Sequence, residues 1–207
     1  MSILAIDTVS TNGSVAIVDN NKNYFVEQNP INGNNMETFF LILNTLFNKY
    51  NYNYNKIDYL VVITGPGSFT GIRIGISAAK GISLATNKPL FGVSTLEVQA
   101  YMLSLLHKDN TKNIKAIIKN TQGFYTQLFD FNLLPLSDPI LVSKSQYTID
   151  NKTITDNNYT THINYNNLPK LNAGHAGLLF LHKMENKQKL NAANALYLNN
   201  PQYTRLS

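Results

Sequence analysis

The sequence predicts a mixed α/β fold. A short apolar run, Ile3 to Asp7, ends in the turn cluster Thr8-Val9-Ser10-Thr11-Asn12-Gly13 and resumes at Ser14 to Val18, the signature of a β-hairpin. A second continuous apolar run, Tyr59 to Ile63, leads through a glycine turn directly into a helical pattern. Strand and helix signals then keep alternating to about His107, with no internal repeat.

From Met36, the residues Phe39, Phe40, Leu43, Leu46, Phe47 and Tyr50 recur at intervals of three and four, which stacks them along one face of a helix. Leu41 and Ile42 lie off that stripe. A surface helix needs only one apolar stripe, so a second covered face is expected here. Tyr59-Leu60-Val61-Val62-Ile63 reads as a strand buried on both faces. It runs into Gly65-Pro66-Gly67-Ser68-Phe69-Thr70-Gly71-Ile72-Arg73-Ile74-Gly75, where proline fixes its own φ and glycine opens angles closed to other residues, so the chain turns sharply. Ser68 or Thr70 can cap the helix that follows to about Ala85. Within it Gly71, Gly75 and Ala79 recur every four residues and leave a nearly bare ridge, open to close approach either by the chain's own domain or by another molecule.

Leu90 to Val93 reads as a further strand, and Ser94 with Glu97 matches a capping box for a helix reaching about His107. Ile114 to Ile118 and Phe124 to Phe131 are expected strands, and a short helix is expected around Ala173 to Lys183. Between about Leu133 and Ala173 the signals are poor, and no linker separates the halves.

With 207 residues the chain can bury a core without staples, and it has no cysteine, which excludes disulfides, thiol catalysis and thiolate metal sites. The net charge is +5, with the lysines scattered and no basic arm. The N-terminus reads as a strand and not as an export signal, and no apolar run approaches the ~18 residues of a membrane helix. A soluble, cytoplasmic protein is expected. The asparagine-rich tracts suit turns and carry no assigned function.

The glycine turn could hold a phosphate at its helix N-terminus, but no Gly-Lys-Ser/Thr follows at the spacing of a P-loop, and Ser68 lacks the spacing of a nucleophile elbow. The four histidines, His107, His162, His175 and His182, form no close pair at metal spacing. Asp7, Thr8 and Ser10 at the end of the first strand are the candidate phosphate contacts, although Asp and Thr also close turns on their own backbone.

The segments Ile3 to Val18, Gly65 to Gly81 (GPGSFTGIRIGISAAKG) and Gly92 to Glu97 (GVSTLE) resemble the TsaB family in order and spacing, over roughly the first hundred residues. Tyr203-Thr204-Arg205 is similar to that family's Tyr-Leu-Arg ending. The resemblance implies an actin-like (ASKHA, ribonuclease H-like) fold of two lobes, residues 1–107 and a reduced second lobe, 108–207, with a tail packing back. It further implies a non-catalytic dimerisation subunit pairing with the catalytic paralogue TsaD. That complex attaches threonylcarbamoyl to the adenosine beside the anticodon of tRNAs reading A-starting codons. The TsaE ATPase would join the larger assembly, tRNA would be met through the complex, and a homodimer could form alone. No cofactor is firmly implied, with ATP or ADP and Mg left open at the partner interface, and no metal site is implied.

In that family the first two helices pair as a four-helix bundle. The interface implied here is Met36, Phe39, Phe40, Leu43, Phe47, Gly71, Ile74, Gly75, Ala78 and Ala79. The chain departs from the family pattern at Asn35-Met36-Glu37, commonly His-Ser-Glu, and at Lys119-Asn120-Thr121, usually Asp-Ala-Arg. The rival readings are an ATPase or metalloprotease-like enzyme acting alone, and an unrelated homodimeric scaffold.

Overall fold

In the computed structural model, which describes residues 1–29, 36–106, 112–147, 153–155 and 170–198, β1 (Ser2–Asp7) and β2 (Ser14–Asp19) form the expected hairpin, with Asp7 opposite Ser14. β3 (Tyr24–Gln28) extends it antiparallel on the outer edge, a strand the sequence did not signal because two of its five residues are polar. β4 (Tyr59–Ile63) lies parallel to β1, and β5 (Leu90–Val93) parallel to β4, giving the order β3-β2-β1-β4-β5. β4 is therefore interior, and its residues Leu60 to Ile63 are fully buried, as its unbroken apolar run requires.

Side-chain alternation sends Leu4, Ile6, Val15, Ile17 and Val62 to one face of this sheet and Ala5, Ala16, Val18 and Val61 to the other. α1 (Met36–Lys49) and α2 (Phe69–Thr86) both cover the first face. α1 lies over β2 and β3, with Lys49 reaching Glu27 at 2.6 Å and Tyr50 stacking on Phe25, and α2 lies over β1, β4 and β5. The Gly65-Pro66-Gly67 turn between β4 and α2 is as sharp as expected, with Gly65 at φ +100°, closed to ordinary side chains. Ser68 caps α2, its Oγ accepting the Gly71 N–H at 3.1 Å, and Asn87 ends it in the left-handed conformation that asparagine tolerates.

α3 (Thr95–Leu106) begins with the anticipated capping box. Ser94 N–H donates to Glu97 Oε2 at 2.7 Å, and Glu97 N–H to Ser94 Oγ at 3.0 Å. The second sheet has the order β8-β7-β6-β9, from β6 (Asn113–Lys119), β7 (Gly123–Phe129), β8 (Ile140–Ser143) and β9 (Thr153–Thr155). β8 and β9 fall in the stretch whose signals were poor; each is short and belongs to an edge. α4 (Ala173–Glu185) comes last, yet it packs on β1, β2 and β4 of the first sheet, where a Cβ on Gly177 would overlap Val18. Its cap is reciprocal: Asn172 Oδ1 accepts the Gly174 N–H while the Asn172 N–H reaches His175 Nδ1. α3 sits between the sheets, touching α4, β6 and β7, with the Gln99 side chain accepting the Ile117 N–H. Ile114, Ala116, Tyr125 and Phe129 join the same apolar core as the first sheet, so the two halves of the chain interlock through α3 and α4.

Among the described residues no helix is long and apolar enough to cross a membrane. Gly81, exposed in the interior of α2, has nothing within 4 Å of an added Cβ. Gly81→Ala is therefore expected to stabilise the chain by about 0.4–1 kcal/mol, read as a raised urea midpoint at unchanged slope.

Candidate functional site

The β1–β2 turn is the first candidate. Asp7 has no exposed surface, and its Oδ1 accepts the N–H groups of Val9 at 2.9 Å and Ser10 at 3.0 Å. Burial pushes its carboxyl above the usual range, and the hydroxyl and N–H of Ser10 and the N–H of Val9 pull it partly back. Its Oδ2 is buried without a hydrogen-bond partner. Thr8 points to the other face and donates its hydroxyl to the Gly71 carbonyl at 2.6 Å.

The neighbouring glycine turn is already filled by the chain itself. A Cβ on Gly67 would overlap Val9 Cγ1, and one on Gly65 would meet Ile72 Cδ1 at 2.6 Å and the Leu196 carbonyl at 2.9 Å. The segment carrying Leu196 is tied down by Leu196 N–H to Thr64 O at 2.8 Å and Gly92 N–H to Asn191 O at 2.9 Å. Asp7, Thr8 and Ser10 thus serve the hairpin and its seam with α2, and they do not fit a nucleotide phosphate with its magnesium. His175 caps α4 and His182 lies on Tyr101, and the described residues contain no group of three metal-ligating side chains.

The second candidate is the outer surface of the α1–α2 layer, where the structure rearranges the expected interface. Phe39, Leu43 and Phe47 turn inward with Ile42 and Leu46 and are buried in the chain's own core. Gly71 and Gly75 also face inward. A Cβ on Gly71 would overlap the Thr8 carbonyl oxygen, and one on Gly75 would overlap Thr8 Oγ1 and touch Val62 Cγ2 at 3.4 Å. Ala78 and Ala79 are buried beside them. The small-residue ridge is the seam between α2 and the sheet, and it is withdrawn from any partner, as are Phe39, Leu43 and Phe47.

Of the expected interface, Phe40 remains outside at 44% exposure and Ile74 is half-buried, while the Met36 side chain, His107, His162 and Tyr203 to Arg205 lie outside the described residues. Leu41 (66%), Leu84 (88%) and Phe69 (48%) are exposed on the same two helices, with Tyr197 packed on Phe69 at 5.0 Å between ring centroids. The sequence reading missed Leu41, Phe69 and Leu84 as surface residues, although the polar positions Arg73, Ser77 and Lys80 already marked which side of α2 faces water. Leu41 was flagged as off the stripe, and it is on the outer face; Ile42, flagged with it, is in the core.

Residues 34–115 match the family model described as TsaD: tRNA N6-adenosine threonylcarbamoyltransferase. The chain is 36% identical over 98 residues to the tRNA threonylcarbamoyladenosine biosynthesis protein TsaB of Buchnera aphidicola subsp. Schizaphis graminum, covering 47% of this chain and 46% of that protein. It is 37% identical over 101 residues to the TsaB of Escherichia coli K12, covering 48% and 43%. The matched region thus spans about half the length of these curated relatives. The structure of YeaZ from Pseudomonas aeruginosa superposes with a TM-score of 0.75 at 16% identity, over 95% of this chain and 99% of that one, which shows a shared fold. The chain, with its hairpin, its glycine turn and helix, and its capped helix after β5, is thus similar to TsaB proteins over about half their length and shares the fold of YeaZ.

Proposed function

We propose that the chain is a non-catalytic subunit that pairs, through the outer face of α1 and α2, with a TsaD-type threonylcarbamoyltransferase acting on tRNA in the cytoplasm. The observation that carries this is the exposure of Phe40, Leu41, Phe69 and Leu84 on the two helices that cover one face of the first sheet. Several large apolar side chains left exposed on one face mark an interaction surface, and covering a Leu or Phe fully is worth roughly 1.5–3 kcal/mol each. The match of residues 34–115 to the TsaD family supports the pairing, because it spans both helices and places them within a framework common to the two proteins. The four histidines form no close pair at metal spacing, so in this reading the chemistry is assigned to the partner. In this reading the TsaE ATPase joins a larger assembly and tRNA is met through the complex.

Light scattering on a sizing column tests the proposal, with the chain alone and mixed with the TsaD paralogue of the same cell. A defined heterocomplex is expected. Leu41→Glu with Leu84→Glu is expected to weaken it by at least about tenfold, since each buries a carboxylate at an apolar contact, with the thermal midpoint of the free chain unchanged. The chain alone is expected to modify no tRNA. Single-component modification, or a complex indifferent to both glutamates, would sink the proposal.

A further inference from the structure

α2 shows solvent one line of side chains, Phe69, Arg73, Ser77, Lys80 and Leu84, each three or four residues after the last. Arg73 is held over the Phe69 ring, 5.2 Å from its centroid, and Phe69 is backed by Tyr197, so this cation has a defined position. Neither Arg73 nor Lys80 forms an ion pair among the described residues. α2 contains no carboxylate at all, and α1 has one, Glu37, in its first turn, while Lys49 at its other end is already paired with Glu27.

A two-fold contact places the same patch of each copy against itself. If α2 packed antiparallel on α2 of a second copy, with the axis between Ile76 and Ser77, Arg73 of one copy would face Lys80 of the other, on both sides of the axis. Like charges brought together as an interface loses water oppose association, and opposite charges at the same positions favour it. We infer that the α2 stripe selects a different protein over a second copy of this chain: a partner whose facing surface is apolar opposite Phe69 and Leu84 and carries Asp or Glu opposite Arg73 and Lys80. Phe69 and Leu84 at the ends of the stripe supply adhesion without discrimination, and the two cations between them supply the choice. This rests on the proposed pairing through α1 and α2 and names the chemistry of the partner's surface.

The experiment uses the intact chain and its Arg73→Glu/Lys80→Glu variant. In titrations with the TsaD paralogue, the variant is expected to bind about tenfold or more weakly, and wild-type affinity to fall as salt is raised. In an equimolar mixture of wild-type and variant chains, a mixed dimer is expected that neither forms alone. Ser77→Cys, the single thiol in a cysteine-free chain, should cross-link that dimer at its centre. Unchanged affinity of the folded variant for the paralogue overturns the inference, and so does cross-linking of wild-type chains to each other as readily as in the mixture. If the wild-type chain does not bind the paralogue, the proposed pairing fails, and the mixed-dimer arm alone then decides whether these charges govern self-association.

Discussion

Gly71→Leu, and to a similar degree Gly75→Leu, is expected to remove a large part of the stability of the chain, lowering it by about 3 kcal/mol or more out of a typical 5–15 kcal/mol. At Gly71 the obstacle is the Thr8 carbonyl oxygen, main-chain and held at the end of β1, so it cannot swing aside as a side-chain tip would. The same approach lets the Thr8 hydroxyl donate to the Gly71 carbonyl at 2.6 Å, and a side chain there would break that bond as it pushed α2 away from the sheet. At Gly75 the neighbours are Thr8 Oγ1 and Val62 Cγ2, which can shift slightly, so alanine there is expected to be tolerated better than at Gly71. Urea unfolding of the purified chain checks this, with Gly81→Leu as control, since that position opens to water and should hardly move the midpoint. A small loss at Gly71 with a large loss of partner binding would mean that the ridge faces outward after all.

Lys183→Met is the second large effect, expected to cost about 3 kcal/mol. Lys183 lies on α4 with its side chain 7% exposed, and its ammonium pairs with Glu97 Oε1 on α3. Methionine keeps most of the length and apolar bulk of the lysine stem but leaves the Glu97 carboxylate mostly buried and without its cation. The other oxygen of Glu97 accepts the Ser94 N–H, so this one carboxylate serves both the α3 cap and the contact between the helices. Adding Glu97→Gln to Lys183→Met is expected to recover a large part of the loss, because glutamine keeps an acceptor for Ser94 and removes the buried charge. A double-mutant cycle followed by denaturant unfolding reads the coupling directly. Strict additivity of the two changes would show that the pair contributes nothing as a pair.

Much of the first half of the fold was legible because its signals are local. Asp7 and the turn cluster after it close a hairpin, Ser68 and Gly71 start a helix, and Ser94 and Glu97 start another, all through contacts within a few residues. β3, β8 and β9 were not legible. β3 and β8 sit at sheet edges with half-exposed side chains, and β9 has three residues, so none shows a clean period. That α4 returns to β1 and β2 from the far end of the chain is likewise a long-range fact: its Ala173 N–H bonds Ser14 Oγ across 159 residues.

The candidate surface was half legible for a related reason. The sequence marked α1 and α2 as unusual, one with surplus apolar residues and the other with a bare ridge; the ridge is the seam with the sheet, and in α1 Ile42 joins the core while Phe40 and Leu41 stay outside. By itself it determined that α2 needs close approach along Gly71, Gly75 and Ala79, that α1 carries more apolar residues than one stripe requires, and that the chain resembles the TsaB family. Only the tertiary structure decided which side of each helix met which neighbour. Burial depends on what packs opposite, and the sheet under α2 comes so close that glycine is spent on the chain's own Thr8, leaving Phe69, Arg73, Lys80 and Leu84 to face outward.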